Sequence, residues 1–135
     1  MTKDRLRRYR ANAMELRQLR AQIEEIQRRA YAPQAQRFAA VSRSQRRRGG
    51  SRQERLADRA LELLGLYEDR LERLQAEQYA IELAIGSLSD PRQRVLLRHR
   101  YIEGLTWEKV CRKMHYSYSQ IDRLHAAALR EIRQL

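Results

Sequence analysis

The sequence predicts an all-α fold, with a long antiparallel helical hairpin followed by a set of short C-terminal helices. Three observations predict it. Over two long stretches apolar residues recur at steps of three and four, the spacing of one helix face. Turn residues are scarce, with 5 Gly and 2 Pro in 135 residues, which disfavours a many-stranded sheet. The last third of the chain carries successive helix-start signals at Asp90, Thr106 and Ser117.

The first helix is expected from about residue 3 to 31. Leu6, Tyr9, Ala13, Leu16, Leu19, Ile23, Ile26 and Ala30 follow the a/d spacing of a coiled-coil seam, and Pro33 stands just beyond the pattern. Such a rod is roughly 43 Å long at ~1.5 Å per residue, too long for a small globule to enclose, so it needs a partner rod. That partner is expected downstream, where Leu56, Ala60, Leu63, Tyr67, Leu71, Leu74, Gln78, Ile81, Ile85 and Leu88 repeat the spacing, with Leu64 and Leu66 widening the stripe. Two rods of similar length joined by a connector most simply fold back as a hairpin, residues 1–88. A homodimer through the same seam stays open.

The connector, about 32–52, crowds Arg43, Arg46, Arg47, Arg48 and Arg52 around Gly49 and Gly50. A solvated tip is the plain reading. An arm that neutralises phosphates, with Arg46, Arg47 and Arg48 as its grip, is the sharper one.

Residues 89–135 hold the specific signal. Asp90 is placed to cap a helix, Pro91 suits its first position, and Gln93 stands where a capping partner would. This helix is expected to run to Gly104, a C′ residue. Thr106 then caps a short helix, WEKVCRKM. His115 is expected to take the left-handed conformation in a three-residue break. Ser117 and Gln120 form a capping box for the last helix, 118–134, with Tyr116 and Ile121 placed as a hydrophobic staple. That helix should bury Ile121, Leu124, Ala128, Leu129 and Ile132. Short helix, tight turn and longer helix make the helix-turn-helix pattern, and capping and spacing alone leave two readings of residues 89–135, a small DNA-binding domain or a plain three-helix packing unit with a polar outer face, in either case expected to fold alone though only marginally. The resemblance given below favours the DNA-binding domain. Its second helix would enter the major groove by its first turns, presenting Tyr118, Ser119, Asp122 and Arg123, with Ala126 and Ala127 leaving a smooth approach.

Charge agrees. The formal net charge is +12, and it is uneven. Residues 1–52 carry 15 Lys/Arg against 4 Asp/Glu, residues 53–89 carry 4 against 8, and residues 90–135 carry 10 against 5. Two basic ends suit double-stranded DNA, while the acidic middle suits protein. No apolar run approaches the ~20 residues of a membrane span, so no membrane partner is expected. The first residues, MTKDRLRRYR, have no apolar core behind them and do not read as a signal peptide. A single cysteine allows no internal disulfide, which fits the cytoplasm.

No P-loop, H-E-x-x-H or G-x-S-x-G motif occurs, and no catalytic residue, metal site or cofactor is expected. Cys111 and His115 stand at i and i+4 but lack a second pair, so they read as a core cysteine and a turn histidine. His99 and His125 are isolated in sequence. Trp107 reads as packing on the preceding helix rather than stacking on a base.

The C-terminal third resembles region 4 of bacterial sigma-70 factors. The residues that carry the likeness are Arg94, Val95, Leu96, Arg100, Tyr101, Leu105, Thr106, Glu108 and Val110, then Ser117, Ile121, Leu124, Ala126, Ala128, Leu129 and Ile132. Over the whole chain the organisation is similar to the ArpU/RinA-type phage transcriptional regulators, whose marks read here as Arg100-Tyr101-Ile102-Glu103-Gly104-Leu105-Thr106-Trp107 and Tyr116-Ser117-Tyr118-Ser119-Gln120. The resemblance implies that Tyr118, Ser119, Asp122 and Arg123 read bases, and that Thr106, Ser117 and Gln120 lie near backbone phosphates. Lys113 and Arg130 complete the expected backbone contacts. Primary sigma factors have a basic and an acidic residue where this chain has Tyr118 and Ser119, so its target should differ from a standard promoter −35 element. Nothing resembles the promoter-melting part of a sigma factor, which implies an accessory regulator of phage genes, with host RNA polymerase as a candidate partner. The alternative is a DNA-recognition subunit of phage packaging, like a small terminase, which would assemble as a ring.

Overall fold

A computed structural model describes residues 1–31 and 52–135. Among these lie five α-helices and no strand: α1, Lys3–Tyr31; α2, Arg52–Gly86; α3, Pro91–Leu97, continued by a π-helical segment, Arg98–Ile102; α4, Trp107–Met114; and α5, Tyr118–Arg133. The long α1 and α2 are an antiparallel pair in contact, followed by the shorter C-terminal helices, as their spacing predicts. The connector lies outside the described residues, apart from Arg52, which opens α2. No helix among the described residues is long and apolar enough to cross a membrane.

The chain divides into two compact units, residues 16–73 and residues 1–15 with 74–135. In the first unit Leu16, Leu19 and Ile23 of α1 are buried, while Ala60, Leu64, Tyr67 and Leu71 of α2 are half-buried. Leu66, expected to widen the apolar stripe, is 64% exposed. At 100° per residue it stands roughly 60–80° round the helix from Leu56 and Leu63, which are themselves exposed.

The second unit is larger than the 89–135 domain expected from sequence. Its core joins Leu96, Leu97, Tyr101, Val110, Ile121, Ala128 and Ile132 to Leu6 of α1 and to Ile81, Ile85 and Leu88. Leu6 and Ile81 have no exposed surface. Each such side chain contributes about 1.5–3 kcal/mol by leaving water. A fragment cut at residue 89 lacks this covering layer of Leu6, Ile81, Ile85 and Leu88. Polar contacts close the same unit. Arg5 forms a two-bonded pair with Glu77, Nε to Oε1 at 2.9 Å and Nη2 to Oε2 at 2.8 Å. The Tyr9 hydroxyl donates to Glu82, and burial followed by this bond pushes its pKa up to about 12. Ser89 Oγ donates to Glu131 of α5 at 2.7 Å, and Arg94 Nη1 donates to the Leu88 carbonyl at 2.6 Å, so the turn before α3 is tied on both sides.

The C-terminal helices start where local chemistry says they should. Asp90 accepts from the Arg92 N–H at 2.8 Å, with Pro91 in the first turn. Gln93 departs from its expected capping role: its side chain is buried, and its Oε1 has no hydrogen-bond partner. The α-helix also gives way to a wider turn after Leu97, closed by the Glu103 N–H donating to the Arg98 carbonyl at 2.9 Å. A π turn of this kind is not visible in apolar spacing.

Candidate nucleic-acid interface

The turn between α4 and α5 is set by three residues. His115 caps α4 in the left-handed region at φ 58°, ψ 37°, with its N–H donating to the Cys111 carbonyl. Its positive φ is the one non-glycine case among the described residues. Ser117 then opens α5: its Oγ accepts from the Gln120 N–H at 3.2 Å, and Gln120 Oε1 accepts from the Ser117 N–H at 2.8 Å. This reciprocal box satisfies two backbone donors at the helix start. Tyr116 and Ile121 join the same apolar cluster, as the staple requires. On the other side, Thr106 Oγ1 accepts from the Lys109 N–H at 3.3 Å and starts α4. Capping therefore uses an acceptor of each of Thr106, Ser117 and Gln120, while their hydroxyl and amide donors stay at an exposed surface.

The box fixes which way α5 presents its first turns. Ile121, His125, Ala128 and Ile132 face inward, with Leu124 and Leu129 half-buried beside them. Tyr118, 65% exposed, and Ser119, Asp122, Arg123 and Ala126 face outward. So the four expected base-reading side chains share one exposed face at the N-terminal end of one helix. Lys113 of α4 and Arg130 of α5 are exposed. Arg46, Arg47 and Arg48 lie outside the described residues.

Behind this face is an aromatic cluster. His125 Nε2 and the Tyr101 hydroxyl share a hydrogen bond of 2.8 Å. Trp107 meets the His125 ring edge-on at 4.6 Å, and the Arg100 guanidinium lies over the Trp107 ring at 4.5 Å. Arg100 Nη1 also donates to the Leu105 carbonyl at 2.9 Å. Trp107 therefore packs on the preceding segment, as expected from sequence. Burial, followed by the positive charges of Lys3, Arg100 and Arg7 and against that of Asp122, brings the His125 pKa down to about 4. It is a neutral core residue at pH 7.

Gly104 has two reasons to be glycine. Its φ is +72°, and any Cβ there would strike the Arg10 side chain, which crosses it to donate to the Glu103 carbonyl. The first is a C′ requirement legible from sequence; the second joins residues 94 positions apart. Sequence reasoning likewise missed Lys3, which lines a cleft of about 160 Å³ together with Tyr118, Asp122 and His125. Its signal was the basic N-terminus, whose position beside α5 no local pattern encodes.

No protein-family model, curated protein or solved structure matches this chain. Among the described residues no group of three or more His, Cys, Asp or Glu side chains is placed to hold a metal ion.

Proposed function

We propose that this protein is a sequence-specific DNA-binding transcription regulator, encoded by a phage or prophage, acting in the host cytoplasm to control late phage genes. The observation that carries this reading is the outward face of Tyr118, Ser119, Asp122 and Arg123 on the first turns of a capped helix that follows a three-residue turn opened by the left-handed His115. A major groove admits a helix in this manner. Arg123 can fork to guanine O6 and N7, and Asp122 can accept from cytosine N4. The Tyr118 phenol reaches a phosphate or packs on a thymine methyl, and exposed Ala126 keeps the helix smooth where it nears the groove. The exposed donors of Thr106, Ser117 and Gln120, with Lys113 and Arg130, are suited to flanking phosphates, which fix position while base contacts fix sequence. The sigma-region-4 likeness of the motifs supports transcription as the setting and host RNA polymerase as a candidate partner.

The test is duplex binding by the full chain across a salt series. With five or six phosphates neutralised, log K falls against log salt with a slope of roughly −5. One duplex should also outcompete its scrambled counterpart. A slope near zero, or equal affinity for unrelated duplexes, defeats the reading.

A further inference from the structure

The first turns of α1 and the segment around Gly104 enclose a cleft of about 270 Å³. Four cations line it, Lys3, Arg7, Arg10 and Arg100, together with Tyr101 and Trp107, and no carboxylate does. We propose that this cleft grips a backbone phosphate of the DNA whose bases α5 reads, which makes α1 part of the nucleic-acid interface. The inference rests on the DNA-binding reading and extends it to the first turns of α1.

Three observations support it. Four like charges around one cavity repel one another, and an oxyanion relieves that repulsion. Two of the four are held in place before any ligand arrives. Arg10 donates to the Glu103 carbonyl, and Arg100 donates to the Leu105 carbonyl while stacked on Trp107. A guanidinium tethered through one N–H keeps further donors in a planar fork, the geometry that suits phosphate. Lys3 and Arg7 complete the ring from α1. Arg7 Nη1 stands 3.9 Å from the exposed Asp4 carboxylate, too long for a hydrogen bond.

The third observation is continuity. Lys3 and Trp107 line both this cleft and the neighbouring one that contains Tyr118 and Asp122. A duplex seated on α5 would thus bring its flanking backbone to the cationic cleft. The positive field is also felt in the core, where Lys3, Arg100 and Arg7 all disfavour protonated His125.

The experiment uses the full chain, the double variant Lys3→Gln/Arg7→Gln and the fluorescence of Trp107, the one tryptophan of the sequence. Both replaced side chains lie outside the apolar core, and an unchanged melting curve verifies the fold. Cognate duplex should change Trp107 emission in the wild type. In the variant the salt slope should shrink by up to about one, the share of the single phosphate held in the cleft, and affinity should fall, with the preference for cognate over scrambled duplex retained. A variant with wild-type slope and affinity overturns the assignment. So does a wild type that binds duplex with no change at Trp107 yet responds to pyrophosphate, which would give the cleft to a small phosphate ligand. A wild type that retards no duplex defeats the DNA reading itself, and this assignment with it.

Discussion

The Tyr101 hydroxyl lies 2.8 Å from Nε2 of His125, and this bond joins the π-helical segment to α5 inside the core. The two rings are stacked at 5.9 Å, and Trp107 closes the cluster against His125. One buried imidazole thus fixes the back of the helix whose front carries Tyr118, Asp122 and Arg123. Its protonation state bears on both the stability of the unit and the setting of that front.

The His125 pKa is about 4 in the folded chain and about 6.5 when unfolded. Between these values the unfolded state binds the extra proton, so this group makes stability fall as pH falls, and its effect levels off below pH 4. By pH 5 the loss is on the order of 2 kcal/mol relative to pH 7. Denaturant unfolding across this range, with an NMR titration of the His125 ring, checks it. A ring midpoint near 6.5 would show that the imidazole is not held neutral by burial.

Replacing Gly104 by Ala should destabilise the protein by more than ~1 kcal/mol, because the left-handed backbone disfavours a Cβ and Arg10 occupies its space. The companion variant Arg10→Ala frees that space and leaves the backbone strain. Gly104→Ala should therefore cost less in an Arg10→Ala background than in the wild type. A double-mutant cycle measures the difference, and strict additivity would show that the Arg10 crossing plays no part.

Leu6→Ala should cost about 2–5 kcal/mol and loosen the C-terminal helices, although residue 6 is far from them in sequence. Leu66→Ala, at an exposed position, should stay within about 0.5 kcal/mol. By the same logic residues 89–135 alone should be largely unfolded by circular dichroism. A cooperative unfolding transition in that fragment would show that Leu6, Ile81 and Ile85 cover a core already complete without them.

What could be read from the sequence was local. The acceptors of Asp90, Thr106 and Ser117 sit two or three residues from the N–H groups they cap, and the left-handed His115 stands between two recognisable helices. The outward placement of Tyr118, Ser119, Asp122 and Arg123 followed from the α5 apolar stripe alone. The contacts that were missed join distant residues: Arg10 across Gly104, Lys3 beside Tyr118, and Leu6 in the C-terminal core. Helical spacing says which face of α1 is apolar, but not which helices cover each length of it. The π turn after Leu97 also escaped, since it changes register without changing composition.

The central claim is that the exposed first turns of α5 read base sequence, and selection of bound sites from a random duplex pool tests it most directly. Wild type, Arg123→Ala and the triple replacement of Arg46, Arg47 and Arg48 by Ala are compared. The wild type should enrich one motif. Arg123→Ala should relax one base position and cost about 1–3 kcal/mol on the cognate site, while the triple variant should weaken all duplexes alike and keep the motif. No enriched motif for the wild type, or a motif altered by the triple change and untouched by Arg123→Ala, would contradict it.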